Sequence, residues 1–282
     1  MAASPTAKQL SPEQVARALT ALPPLPAVAL RVMQVAQDPK SSAAELALAV
    51  SSDPGLSTTI LRIINSAAYR RAKEVTSVQE ALVMLGFVQA RNIAISGAIA
   101  GAYAPDAANA LFRIDAFWRH SIAVAFKASE LATQNKRVDP PSAFTAGVIH
   151  NMGRLAMFYA DPAGLDQAVA LAMSRDVQIE VIEAELLGYD HTRLGQLLAE
   201  RWKIPADIRI AVMTHHEAAP TSPLAAIIAQ ADRFCVSHGM FPGYVVPQPN
   251  AILDIEFGRL TRQVDTLMEL INGMPVGVKA AR

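Results

Sequence analysis

Thiol chemistry is almost missing from this chain. Cys235 is its one cysteine, which excludes an intramolecular disulfide and any thiolate metal cluster and fits a reducing interior. An excess of charge is missing too. The 25 basic and 25 acidic side chains cancel, whereas nonspecific nucleic-acid binding normally shows a basic surplus, so no nucleic-acid partner is expected. Aromatic residues are only 6% of the chain, which leaves Ala, Leu, Val and Ile to build the core. No run of about 18 uncharged apolar residues occurs. The nearest approach, Leu82 to Gly101, contains Gln89, Arg91 and Asn92 and reads as a buried helix. The N-terminal stretch, with scattered Pro and Ser, lacks the basic and apolar blocks of a signal peptide. The expectation is a soluble, cytoplasmic protein with no membrane partner.

What is present is helix signal, repeated along 282 residues that are 52% hydrophobic. Leu22-Pro-Pro-Leu-Pro26 stops a short helix around Pro12–Leu19. Beyond it, Ala27–Gln37 has helical spacing, Ser42-x-x-Glu45 and Ser77-x-x-Glu80 read as capping boxes, and Asp53-Pro54 opens a helix whose Leu56, Ile60, Ile63 and Ile64 share a face. Asn65-Ser66 reads as its C-terminal cap with local side-chain hydrogen bonds, and Arg70-Arg71-Ala-Lys73 as a solvated basic loop. Further helices are expected over Leu111–Gln134, Ser142–Tyr159, Val177–Leu187 with Gly188 as a left-handed cap, His191–Trp202 capped by Asp190, Ala206–His216, Ser222 to His238 and Ile252–Ile271. No convincing strand appears, so the fold class is all-α. The expected division is a tail and short helix (1–20), a small helical lobe (21–108), a larger helical lobe (109–241), and a linker, helix and tail (242–282). On the last helix Phe257, Leu260, Val264, Leu267 and Leu270 form a stripe that either docks on the larger lobe or makes a homodimer contact.

The most informative stretch runs from Phe144 to Phe158. It is an apolar helical run interrupted by His150-Asn151 and then by Gly153-Arg154. A buried polar group without a partner costs about 1–3 kcal/mol, so partners are expected from elsewhere. His120, His191, His215, His216 and Asp232 are the candidates. Imidazole and carboxylate donors suit borderline cations such as Zn, Mn, Fe or Ni, and this spacing requires convergence from several helices. Two readings stay open: a metal site, or a fossil site whose histidines bond each other, Asn151, Asp232 and water.

The order His120, His150-Asn151, His191, His215-His216-Glu217, Asp232 resembles the HD superfamily of metal-dependent phosphohydrolases, and within it the HDOD family. The N-terminal half carries the same resemblance through Asp53-Pro-Gly-Leu-Ser to Asn65-Ser66-Ala-Ala-Tyr69, and through Val78-Gln-Glu-Ala-Leu-Val-Met-Leu85-Gly86. Phe117-Trp-Arg-His120-Ser121 and the stretch Leu197 to Pro205 add to it. The resemblance implies a small helical lobe beside an HD-like lobe, bacterial regulatory roles and no shared enzymatic activity. It also assigns roles. His120, His150 and Asp232 would hold a metal, with His191, His215 and His216 as a second set; Arg154, with Asn151, would face an anionic ligand, and Glu217 would orient a histidine from behind.

Departures from the active pattern shape the functional expectation. The aspartate that bridges two cations in active relatives is Asn151 here, a neutral and weaker donor. Relatives that cleave cyclic dinucleotides carry Glu four residues before the first histidine, where this chain has Ala116, and a Gly-Tyr-Pro element after the His-His-Glu, where it has Ala-Ala-Pro. The expectation is a pseudoenzyme that is non-catalytic or weakly active and works through regulatory signalling proteins. Its cofactor would be none, or one weakly held divalent transition metal. The competing expectation is a metal-dependent phosphohydrolase acting on a nucleotide or cyclic dinucleotide.

Overall fold

Apolar faces at helical spacing and well-chosen caps become helices throughout a computed structural model of the chain, which describes residues 12–38, 40–65, 74–103, 111–220, 222–244 and 255–272. In chain order these are α1 (Pro12–Ala21), α2 (Ala27–Gln37), α3 (Ala43–Ser51), α4 (Pro54–Ile64), α5 (Val78–Leu85), α6 (Phe87–Ala100) and α7 (Ile114–Asn135). They continue with α8 (Pro140–Ile149), α9 (Met152–Ala160), α10 (Pro162–Arg175), α11 (Ile179–Ile182) and a π turn at Glu183–Leu187. The rest are α12 (His191–Arg201), α13 (Ala206–Thr214), α14 (Pro223–Ser237) and α15 (Ile255–Asn272). No strand occurs among the described residues. No single helix there is long and apolar enough to cross a membrane.

The helices group into two units. One holds α2 to α6 with α15. Its starts are fixed by side chains: Ser42 and Glu45 form a full capping box, Asp53 accepts from the Leu56 N–H ahead of Pro54, and Ser77 accepts from the Glu80 N–H. Between α5 and α6 the chain turns at Gly86, φ 78°, a conformation that costs any residue with a Cβ. Asn65 does cap α4, but its side-chain bonds are not local. Its amide donates to the Val75 carbonyl and accepts the Val75 N–H, both at 2.8 Å, clasping residues ten apart. Ser66 and the basic run Arg70 to Lys73 lie outside the described residues. The stripe of α15 packs on α4 and α6 within this unit, and Leu260, Val264 and Leu267 are buried. Leu270 lies outside the side chains described.

The second unit holds α1 and α7 to α14. The short helix expected as part of an N-terminal tail belongs to it, and α1 packs on α9 and α12. Its long α7 lies along α8 and α14. The continuous helix expected over Ser142–Tyr159 is instead two helices, α8 and α9, parted at His150 and Asn151. Two close backbone approaches bracket that break. A Cβ on Gly147 would overlap the Ala125 backbone, and a Cβ on Gly153 would overlap the His191 carbonyl oxygen. The expected helix Val177–Leu187 is α11 followed by the π turn, and it ends at Gly188, φ 83°, the left-handed cap read from the sequence.

Candidate metal centre

The break between α8 and α9 is what makes the site. At Ile149 the helix gives way, and His150 Nδ1 lies 2.7 Å from the Gly147 carbonyl oxygen, to which it donates. Asn151 takes φ −101°, ψ 11°, and α9 restarts with the Arg154 N–H bonded to the Asn151 carbonyl. Both side chains point inward and are buried. Around them α7 brings His120, α12 brings His191 from its first residue, the end of α13 brings His215 and His216, and α14 brings Asp232.

Two sets of donors result. His120, His150 and Asp232 form one, and His191, His215 and His216 the other; within each set the donor atoms all lie within 4.8 Å of one another. His120 Nε2 is 3.0 Å from Asp232 Oδ1, and His150 Nε2 is 3.8 Å from it. The Nε2 atoms of His120 and His150 are 3.4 Å apart, as are those of His191 and His215. The sets adjoin, with the His150 and His215 rings 5.1 Å between centroids.

The histidines are oriented from behind. His120 Nδ1 faces the Met240 carbonyl at 2.8 Å, His215 Nδ1 the Val212 carbonyl at 2.8 Å, and His191 Nδ1 the Glu183 carboxylate at 2.6 Å. A ring whose Nδ1–H is held this way offers its Nε2 lone pair to the interior. Lone pairs facing one another at these distances, beside a carboxylate, repel unless a positive charge lies among them. A bound cation or additional ring protons supply it. Burial pushes His150 and His215 below the usual imidazole range, with neighbouring rings adding to the effect. His216 is pushed down to about 3 by burial and by His191. Burial alone would raise Asp232, yet His120 and His150 hold it well below the usual carboxylate range. The buried Asn151 Oδ1 has no hydrogen-bond partner among the described residues. The donors therefore fit a divalent transition metal by type, orientation and unmet charge.

Two sequence expectations change. Arg154 does not stand open to an anion: it is fully buried, and its Nε donates to Glu183 Oε1 at 2.6 Å. Its second amino group reaches His191 at 2.8 Å, and its remaining one has no partner among the described residues. Glu217 is exposed on the turn after α13, where its backbone N–H donates to the Thr214 carbonyl. The orienting role belongs to Glu183, which sequence reasoning passed over. Its carboxylate accepts from Arg154 and from both the ring and the backbone N–H of His191, and these hold it far below its usual range despite burial. The signal available was Glu183 eight residues before His191, across a predicted glycine cap.

Comparison with known proteins identifies the family of the fold. The HDOD domain family model matches residues 22–218. A candidate signal transduction protein from Marinobacter aquaeolei VT8 superposes with a TM-score of 0.73 at 26% identity, covering 91% of this chain and 60% of that one. A candidate phosphohydrolase from Shewanella amazonensis SB2B superposes at 0.64 with 26% identity, covering 93% and 98%. An uncharacterized protein of Treponema pallidum (strain Nichols) is 23% identical over 201 residues; the match covers 69% of this chain and spans 37% of that protein's length.

Proposed function

Because this chain belongs to the HDOD domain family, we propose that it is a signalling protein that acts through protein partners and does not hydrolyse phosphoesters, with its histidine pocket holding a divalent transition cation. The observation that carries this reading is the state of the two groups a hydrolase needs at the centre. Asn151 supplies a neutral amide where a bridging anion would stand, and Arg154 is committed to Glu183 and shut away from solvent. His120, His150, His191 and His215 are buried as well, which favours a held ion over a substrate phosphate. His120, His150 and Asp232, with His191, His215 and His216, would hold the cation. A bound ion supplies the positive charge these donors share and, where a site is open, Lewis acidity. The Marinobacter relative, named for signal transduction, supports the same direction.

Metal analysis of chelator-free protein, with a hydrolysis screen over nucleotides and cyclic dinucleotides, tests the reading. The expected result is bound divalent transition metal and no turnover. Turnover that His150→Ala abolishes would overturn it. A second reading, a metal-dependent phosphohydrolase, is favoured by the adjoining donor sets and by the name of the Shewanella relative. It predicts turnover in the same screen.

A further inference from the structure

Two of the clustered histidines have carboxylates behind them, and the other three have backbone carbonyls. Backbone carbonyls stand behind His120, His150 and His215, and a carboxylate stands behind His191. Behind His216 stands another carboxylate, Glu180, with Oε1 3.6 Å from His216 Nδ1. Glu180 precedes Glu183 by three residues, so α11 and the π turn present both carboxylates to the same set of rings. The Glu180 side chain is 15% exposed and that of His216 25%, so this pair is where the second set reaches solvent.

Burial disfavours the ionised form of Glu180, whereas the neighbouring His191 and Arg154 favour it. No Lys or Arg stands within ion-pair distance of it among the described residues, and Arg154 is already committed to Glu183. A carboxylate in that position needs a cation near it, and the adjacent rings are arranged to hold one. At 3.6 Å the contact with His216 is longer than a hydrogen bond and closes to one with a small rotation of either side chain.

We propose that Glu180 is a positioning residue of the His191, His215 and His216 set: its carboxylate takes the Nδ1–H of His216 and so turns Nε2 toward a divalent transition-metal cation. The inference rests on the cation-binding reading above. The neutral imidazoles of this set contain no anion among themselves, and Glu180 with Glu183 places that charge one bond behind the donors. A carboxylate there raises the basicity of the ligating ring, and its removal costs about 10–100-fold in metal affinity.

The test uses the full chain stripped of metal and titrated with Zn2+ alone against a competing chromophoric chelator. Glu180→Gln and Glu180→Asp are compared with the parent, and the series is repeated in a His120→Gln background that disables the other set. Glu180→Gln is expected to weaken Zn2+ binding by about 10–100-fold, to shift the visible absorption of the Co2+-loaded chain, and to leave the metal-free melting temperature unchanged. Glu180→Asp is expected to recover part of the affinity. Parent-like affinity and Co2+ spectrum in Glu180→Gln would overturn the role of Glu180 and leave the cation reading standing. A lower metal-free melting temperature that Glu180→Asp does not recover assigns a structural role and overturns it too. A parent chain that binds no Zn2+ overturns both.

Discussion

The two donor sets adjoin within one helical unit, yet they handle negative charge in opposite ways. In the first, Asp232 sits among the rings, 3.0 Å from His120 Nε2. In the second, the carboxylates stand behind the rings, Glu183 on His191 and Glu180 near His216, and Glu183 is further balanced by Arg154. In the first set the anion lies among the donors. In the second it lies behind the imidazoles, where a carboxylate raises the basicity of a ring. A side chain's charge thus acts differently according to which side of the imidazole it occupies.

Removing the second set's anion should have the largest effect. Glu183→Ala leaves Arg154 buried and uncompensated, and breaking such a pair costs about 3–5 kcal/mol. Chemical denaturation of the metal-free protein checks this, and a loss under 1 kcal/mol would show the pair to be unimportant. Acid comes next. His216 binds its proton at about 3 when folded, against 6.5 for a free imidazole, so the unfolded chain takes up more protons between those values. The contribution is complete above 6.5 and is lost as pH falls toward about 3. His150 and His215, also lowered, act in the same sense. A melting series across that window, without metal, should fall steadily with acid.

Smaller effects separate backbone from charge. Gly153→Ala pushes a methyl into the His191 carbonyl, and overpacking of this kind costs about 1–3 kcal/mol and should also displace the second set. Asn151→Asp replaces a buried neutral amide beside His150 in the chain by an anion. Without metal it should lower the melting temperature, and with metal it should tighten binding roughly tenfold through the added ligand charge. Gly86→Ala, in the other helical unit, meets nothing within 4 Å and suffers only from its positive φ. It should cost about 1 kcal/mol and leave metal binding as it was.

Much of this is legible in the amino-acid sequence. The capped helices followed from Ser42, Asp53, Ser77 and Asp190, because a cap is a local contract between a side chain and an N–H three residues on. Both donor sets followed from the ordered histidines and the family resemblance, and the structure brings each together. The break at His150 was not readable, since α8 and α9 are each apolar at helical spacing and the interruption depends on Gly147 and Gly153 meeting distant backbone. Glu183 was missed for a related reason. On a predicted helix an acidic residue reads as solvated, and only the π turn and the fold of α12 over it bury its carboxylate beside Arg154. The seat of α15 on α4 and α6 is likewise a long-range choice that an amphipathic pattern leaves undecided.

The bracketing of the α8–α9 break by Gly147 and Gly153 has a kinetic corollary. Main chain packed on main chain has almost no rotamers to search, so the donors are set in place during folding and would not await the cation proposed for them. Uptake and release should then resemble filling and emptying a rigid cup. Exchange rates would be governed by how fast the cation sheds water and by passage at the rim, with the helices holding still.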